Sequence, residues 1–62
     1  MFIKLQDTAF RISSITIVRK GTYVSSYCIY IKADGVEYRF NYDKCAERDN
    51  DYTRIMDKLL KE

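Results

Sequence analysis

The sequence predicts an α+β fold, in which an antiparallel sheet of three to five strands packs on one C-terminal helix in two layers. Two alternating apolar and polar runs flank a central Asp34-Gly35 pair, and a β-branched run precedes them. The last third of the chain changes to a helical period. With 62 residues the chain is expected to form a single domain, 1–62, of marginal stability.

The Asp34-Gly35 pair predicts a two-residue type I′ turn, because both central residues of that turn need a positive φ. Such a turn fixes the register of its strands and pairs Tyr30 with Arg39. One face of the hairpin then carries Tyr27, Ile29, Ile31, Ala33, Val36, Tyr38, Phe40 and Tyr42. The other carries Cys28, Tyr30, Lys32, Glu37, Arg39 and Asn41. We expect the first, apolar face to pack on the core.

The β-branched run at 15–19 predicts a strand before this hairpin. If Ile15 and Ile17 share the apolar face, the loop that follows must have an odd length. We therefore expect Gly21-Thr22-Tyr23 to be a three-residue loop, with a longer odd loop as the alternative. Nearer the start, segments 2–5 and 9–12 predict a short hairpin, and the serines at 13 and 14 a bend.

The C-terminal segment predicts one helix from about Lys44 to Lys61. Its apolar stripe consists of Tyr52, Ile55, Met56, Leu59 and Leu60. Asp43 is the expected N-cap, since its carboxylate can accept hydrogen bonds from free backbone N–H groups. Because residues 49–51 are poor helix formers, a late start or a bend there is the alternative.

Composition argues against several classes of protein. Eleven Lys and Arg against nine Asp and Glu give a net charge of +2 without a clustered basic patch, so nucleic-acid binding is unfavoured. No apolar run suits a signal peptide or a membrane span, and we expect a cytoplasmic protein. With no histidine and no paired cysteine spacing, neither a metal nor another cofactor is expected. The spacing of Cys28 and Cys45 leaves a disulfide open, and reduced thiols are favoured.

Catalysis is not expected either. No histidine is available as a general base near neutral pH. Cys45 falls in the first helical turn, which favours a thiolate, but Asp43 and Glu47 oppose it. A packed, unreactive cysteine is therefore the favoured interpretation, and we predict no catalytic residue.

Two groups of residues are candidate binding sites. Tyr30 and Arg39, with Lys32 and Asn41, could stack a base and hold a phosphate, or form a protein interface. The competing interpretation is that Tyr30 and Arg39 only cover each other in a cation–π pair. The second group is Arg19, Lys20 and Tyr23 at a hairpin end, which could meet an anionic ligand or be a solvated turn.

The stretches "MFIKL", "EYRFNYD" and "ERDNDYTRIMDKLLKE" resemble very small β-rich proteins with one C-terminal helix that bacteria and their phages encode. Some phage proteins of this size oppose host defence. They sequester a nucleotide signal as an oligomeric sponge, or they bind a host effector protein. The resemblance implies that anti-defence class and assigns no functional residue.

The sequence thus favours a non-enzymatic binding protein that captures a small anionic ligand, such as a nucleotide, between copies of itself. An open sheet edge in so small a protein favours pairing with a second copy. The alternative is an inhibitor or adaptor that binds a host protein through an exposed sheet face or edge. Weak nucleic-acid binding ranks third, because the charge is nearly balanced.

Overall fold

The computed structural model describes residues 1–61, and for Tyr23 it describes the backbone alone. In order, the described elements are β1 (Phe2–Leu5), β2 (Thr8–Arg11), a 3₁₀ turn (Ile12–Ser14), β3 (Ile15–Tyr23), β4 (Ser26–Ala33), β5 (Val36–Tyr42) and α1 (Cys45–Lys61). β1 and β2 form a two-stranded antiparallel sheet, and β3, β4 and β5 form a second with β4 at its centre. The predicted α+β fold with one C-terminal helix is confirmed.

The β4–β5 hairpin forms as predicted. Asp34 and Gly35 have φ values of 53° and 79°, and Tyr30 pairs with Arg39. The core face is buried at Ile29, Ile31, Ala33 and Phe40. Val36 and Tyr38 were expected there as well but stay 51% and 37% exposed. Val36 lies next to the β4–β5 turn, and Tyr38 lines an open groove beside the first hairpin.

The β3–β4 connection differs from the prediction. β3 continues to Tyr23, and a two-residue turn, Val24-Ser25, replaces the expected three-residue loop. A β-bulge between Ile15 and Ile17 adds one residue to β3. Ile15 and Val18 therefore pack on the core, whereas Ile17 is 47% exposed on the opposite face. Ile15 and Ile17 were expected on one face, but the bulge between them puts them on opposite faces.

Helix α1 is continuous through residues 49–51. Ile55 is fully buried, and Tyr52, Met56 and Leu59 are half-buried. Leu60 was predicted in the same stripe but is 80% exposed, because five residues rotate it about 140° from Ile55.

The helix starts one residue later than it would with Asp43 as its N-cap. The Arg48 N–H donates the first helical hydrogen bond to the Lys44 carbonyl at 3.2 Å. The N-cap residue supplies that carbonyl, so it is Lys44 rather than Asp43.

The β1–β2 hairpin shares one layer with the helix and covers the β5 side of the sheet. Its predicted strands are confirmed, with the turn at Gln6-Asp7 and β2 beginning at Thr8. The Phe10 ring meets Tyr38 and Phe40 edge-on at centroid distances of 5.1 and 5.8 Å. A single buried cluster joins Ile3, Leu5, Phe10, Ile12, Ile29, Ile31, Ala33, Phe40 and Ile55.

Candidate functional site

The sheet face that points away from the helix brings most of the predicted binding residues together. Arg19 on β3, Tyr30 on β4 and Arg39 on β5 pair in one row across the three strands. Neighbouring strands lie about 4.8 Å apart, so the two arginines stand on either side of the tyrosine. We call this surface the open face and define it by Ile17, Arg19, Tyr30, Lys32, Glu37, Arg39 and Asn41.

The contacts of Tyr30 differ from the predicted pair. The Arg19 guanidinium carbon, rather than that of Arg39, lies over the Tyr30 ring, at 5.5 Å from its centroid. A hydrogen bond with Cys28 is the main cause of a raised pKa at the Tyr30 hydroxyl, and burial adds to it. Arg39 acts in the opposite direction on that pKa. Both arginines therefore reach the tyrosine, and their row carries two positive charges.

Gly21 lets the tyrosine ring lie close to the sheet. A Cβ atom at Gly21 would stand 3.2 Å from a Tyr30 ring carbon and 3.6 Å from the Cys28 sulfur. The sequence assigned this glycine to a loop, but it lies within β3 opposite Cys28. Cys28, predicted on the polar face of the hairpin, is fully buried and forms a hydrogen bond with Tyr30.

The predicted group of Arg19, Lys20 and Tyr23 is divided. Successive strand residues point to opposite faces, so Lys20 turns toward the helix. Its ammonium lies 3.6 Å from the Asp49 carboxylate and 5.1 Å from the Tyr52 ring centroid. Arg19 joins the open face, and the Tyr23 side chain lies outside the described residues. Lys32 and Asn41 are exposed on the open face as predicted.

The most buried charged group of the described chain, Arg48, escaped the sequence analysis. Only 8% of it is exposed. It donates to the Gly21 carbonyl at 2.7 Å and to the Asp49 carboxylate at 3.0 Å, and its guanidinium carbon lies 5.2 Å from the Tyr27 ring centroid. Arg48 lies three residues after Cys45 and four before Tyr52, on the buried helix stripe. This spacing is the feature of the sequence from which its burial could have been predicted.

The polar groups around Arg48 are hydrogen-bonded to one another. The Cys45 thiol donates to Asp49 at 3.4 Å, and Arg48 in turn donates to the Cys45 sulfur at 3.4 Å. The thiol hydrogen bond, together with Arg48 and Lys20, lowers the pKa of the Asp49 carboxyl. This cluster ties the helix to β3 and leaves little capacity for a ligand.

Other candidate chemistries find little support in the described part of the chain. Both cysteines are free, with Cys28 buried and Cys45 exposed. No group of three or more Cys, Asp or Glu side chains among the described residues is placed to hold a metal ion. Within residues 1–61 no helix is both long and apolar enough to cross a membrane.

Comparison with known protein families, curated proteins and solved structures gave no significant match. A functional assignment therefore depends on the geometry of the chain itself. The row of Arg19, Tyr30 and Arg39 is the arrangement that best combines accessible charge with an aromatic ring.

The surroundings of Tyr42 predict that the folded protein loses stability at alkaline pH. The Tyr42 hydroxyl donates to Asp51 at 2.8 Å, and burial and this hydrogen bond raise the pKa of Tyr42. In the unfolded chain tyrosine ionises near pH 10, so above that pH the unfolded state loses protons first. The free energy of unfolding should therefore fall as pH rises above about 10.

Urea titrations between pH 8 and 12 test this expectation. In Tyr42→Phe the decline should be shallower, with a remainder from Tyr30, whose pKa is also raised. Equal slopes for the two proteins above pH 10 would contradict it.

Proposed function

We propose that the chain is a non-enzymatic binding protein whose open face takes a nucleotide-type anion. Arg19 and Arg39 hold phosphate oxygens, and Tyr30 between them offers a ring for stacking a base. The observation that carries this proposal is the pairing of these three residues in one row across the sheet. Two strand spacings, about 10 Å, separate the arginine backbones, a span that suits a ligand carrying more than one phosphate.

Charge on the open face supports an anionic ligand. Its cations are Arg19, Lys32 and Arg39, and its one carboxylate is Glu37, opposite Lys32. The Arg39, Lys32 and Asn41 side chains are exposed, so a ligand can reach them without displacing the core. Arginine forms paired hydrogen bonds to phosphate, which favours these side chains as the main contacts.

The shape of the face bears on oligomerisation. A three-stranded sheet surface contacts a ligand from one side only, and small-ligand sites bury most of the ligand surface. We therefore include in the proposal that a second copy of the chain covers the bound ligand. This arrangement would act as the sponge that the resemblance implied, by sequestering a nucleotide rather than converting it.

Isothermal titration calorimetry with a panel of linear and cyclic mono- and dinucleotides tests the proposal. We expect binding to at least one of them, weakened roughly tenfold or more in Arg19→Gln, because hydrogen bonds to charged groups contribute about 1.5–3 kcal/mol each. Arg11→Gln is the matched control, since Arg11 is exposed, stacks over Phe2 and lies outside the open face.

Two further measurements separate the alternatives. Sedimentation should report a dimer or larger species when the nucleotide is present, and a monomer throughout would overturn the sequestering arrangement. A 20-nucleotide single-stranded oligonucleotide that binds with a steep salt dependence, while no nucleotide binds, would replace the proposal with nucleic-acid binding. Equal effects of Arg19→Gln and Arg11→Gln would place the site off the open face.

A further inference from the structure

A groove of about 440 Å³ lies on another side of the molecule, between the first hairpin and the β4–β5 turn. All four residues of β2 line one wall. The other contacts are Phe2, Ser14, Ala33, Asp34 and Tyr38. A full strand along one wall makes this groove different from a pocket built by side chains alone.

The hydrogen bonding of the β1–β2 hairpin decides which way the β2 backbone points. The Ile12 N–H donates to the Met1 carbonyl at 3.0 Å. Hydrogen-bonded and non-bonded pairs alternate along an antiparallel ladder. Phe2–Arg11 and Lys4–Ala9 are therefore non-bonded pairs, whose backbone groups point away from the partner strand. On β2, the N–H and C=O groups of Ala9 and the N–H of Arg11 thus point outward, toward the groove. The Arg11 carbonyl is the first hydrogen-bond acceptor of the 3₁₀ turn that follows β2.

Two other outward-pointing backbone carbonyls have side-chain partners. Arg54 donates to the Lys4 carbonyl at 3.0 Å, on the outer edge of β1. Gln6 donates to the Asn41 carbonyl at 3.0 Å, on the outer edge of β5. Among the described residues, no hydrogen bond closes the N–H and C=O groups of Ala9 or the N–H of Arg11. An unpaired strand edge is a template for another strand.

We propose that this groove binds an extended peptide segment of a partner protein, which adds to β2 as a third strand. Strand addition supplies backbone hydrogen bonds to Ala9 and Arg11, and alternate side chains of the peptide meet the two sides of the groove. This proposal is independent of the open face. The two surfaces would allow a ligand and a protein partner to bind at once.

The side chains around the groove define the peptide. On the core side of β2, Phe10 and the partly exposed Tyr38 ring form an aromatic surface that suits an aliphatic side chain. On the other side, the Arg11 guanidinium lies 5.9 Å from the Phe2 ring centroid and suits an acidic side chain. A segment with aliphatic residues at alternate positions and an acidic residue between them therefore fits.

The probe is the blocked peptide acetyl-KVTVEVTVK-amide, whose terminal lysines oppose its self-association. Amide chemical shifts of the labelled protein should move at Thr8–Arg11 and Tyr38 as peptide is added. Ala9→Pro removes one outward N–H without a ladder hydrogen bond, so we expect a folded protein that binds at least tenfold more weakly. Lys4→Pro, on the other strand, is the matched control and should bind like the unchanged protein.

N-methylated peptides test the backbone contacts directly. In an antiparallel strand the Glu and Thr amides face β2, so their methylation should abolish binding. In a parallel strand the Val amides face β2, and methylation of those should abolish binding instead. Retained binding by both peptides, or by Ala9→Pro, would overturn the proposal. If the protein alone dimerises and Ala9→Pro is a monomer, the occupant is a second copy and the partner peptide is rejected.

Discussion

Replacement of Arg48 by alanine is expected to destabilise the fold by about 3 kcal/mol, through the loss of a buried cation and its hydrogen bonds. The guanidinium joins the first helical turn to the Gly21 carbonyl and packs against the Tyr27 ring. A chain of 62 residues has a total stability of about 3–9 kcal/mol. The substitution therefore removes a large part of the stability that holds α1 on the sheet.

Thermal unfolding measures this effect, with an expected fall in Tm of roughly 12–24 °C. Arg54→Ala is the matched control, since Arg54 is an arginine of the same helix with a side chain that is 45% exposed. We expect its cost to stay near 1 kcal/mol, because exposed ion pairs contribute little. Equal Tm losses for both variants would show that Arg48 does not act as a buried tie.

Ile55→Ala is expected to cost about 4 kcal/mol, because it removes the fully buried helix side chain at the centre of the core. Ile55 belongs to the buried cluster that includes Leu5 of the first hairpin and Ile29 and Ile31 of β4. A cavity there loosens both parts of the covering layer together. The helix and the β1–β2 hairpin should therefore lose their protection from hydrogen exchange at the same time.

Leu60→Ala provides the comparison, since Leu60 is also aliphatic and helical but 80% exposed. Its effect should remain within about 0.5 kcal/mol. Urea unfolding of the two variants gives both values in one experiment. A large effect at Leu60 would mean that another surface of the protein buries it.

The β4–β5 hairpin was predictable because its information is local. Asp34-Gly35 fixes the turn type, and the turn fixes the register from Ala33 to Tyr27. The β3–β4 turn carries no such signal. Val24 adopts a φ of 53°, which is strained for a β-branched residue. The pairing of β3 with β4 imposes this turn against the local backbone preference of Val24.

The candidate site was predicted only in part. Tyr30, Lys32, Arg39 and Asn41 follow from the hairpin register. Arg19 joins them because β3 continues to Tyr23 and the short turn pairs Arg19 with Tyr30. Alternation along the strand then turns Lys20 to the opposite face. A bulge of one residue reverses every later side chain on a strand, and nothing in the local sequence marked it.

The sequence by itself determined the α+β class, the central hairpin and the extent of the helix, because turn chemistry and apolar periodicity act over a few residues. Only the tertiary structure decided the burial of Arg48 and Cys28, the row formed by Arg19, Tyr30 and Arg39, and the unpaired edge of β2. Each of these depends on the register and packing of segments distant in the chain. Those are set by the fit of the whole core rather than by any local preference.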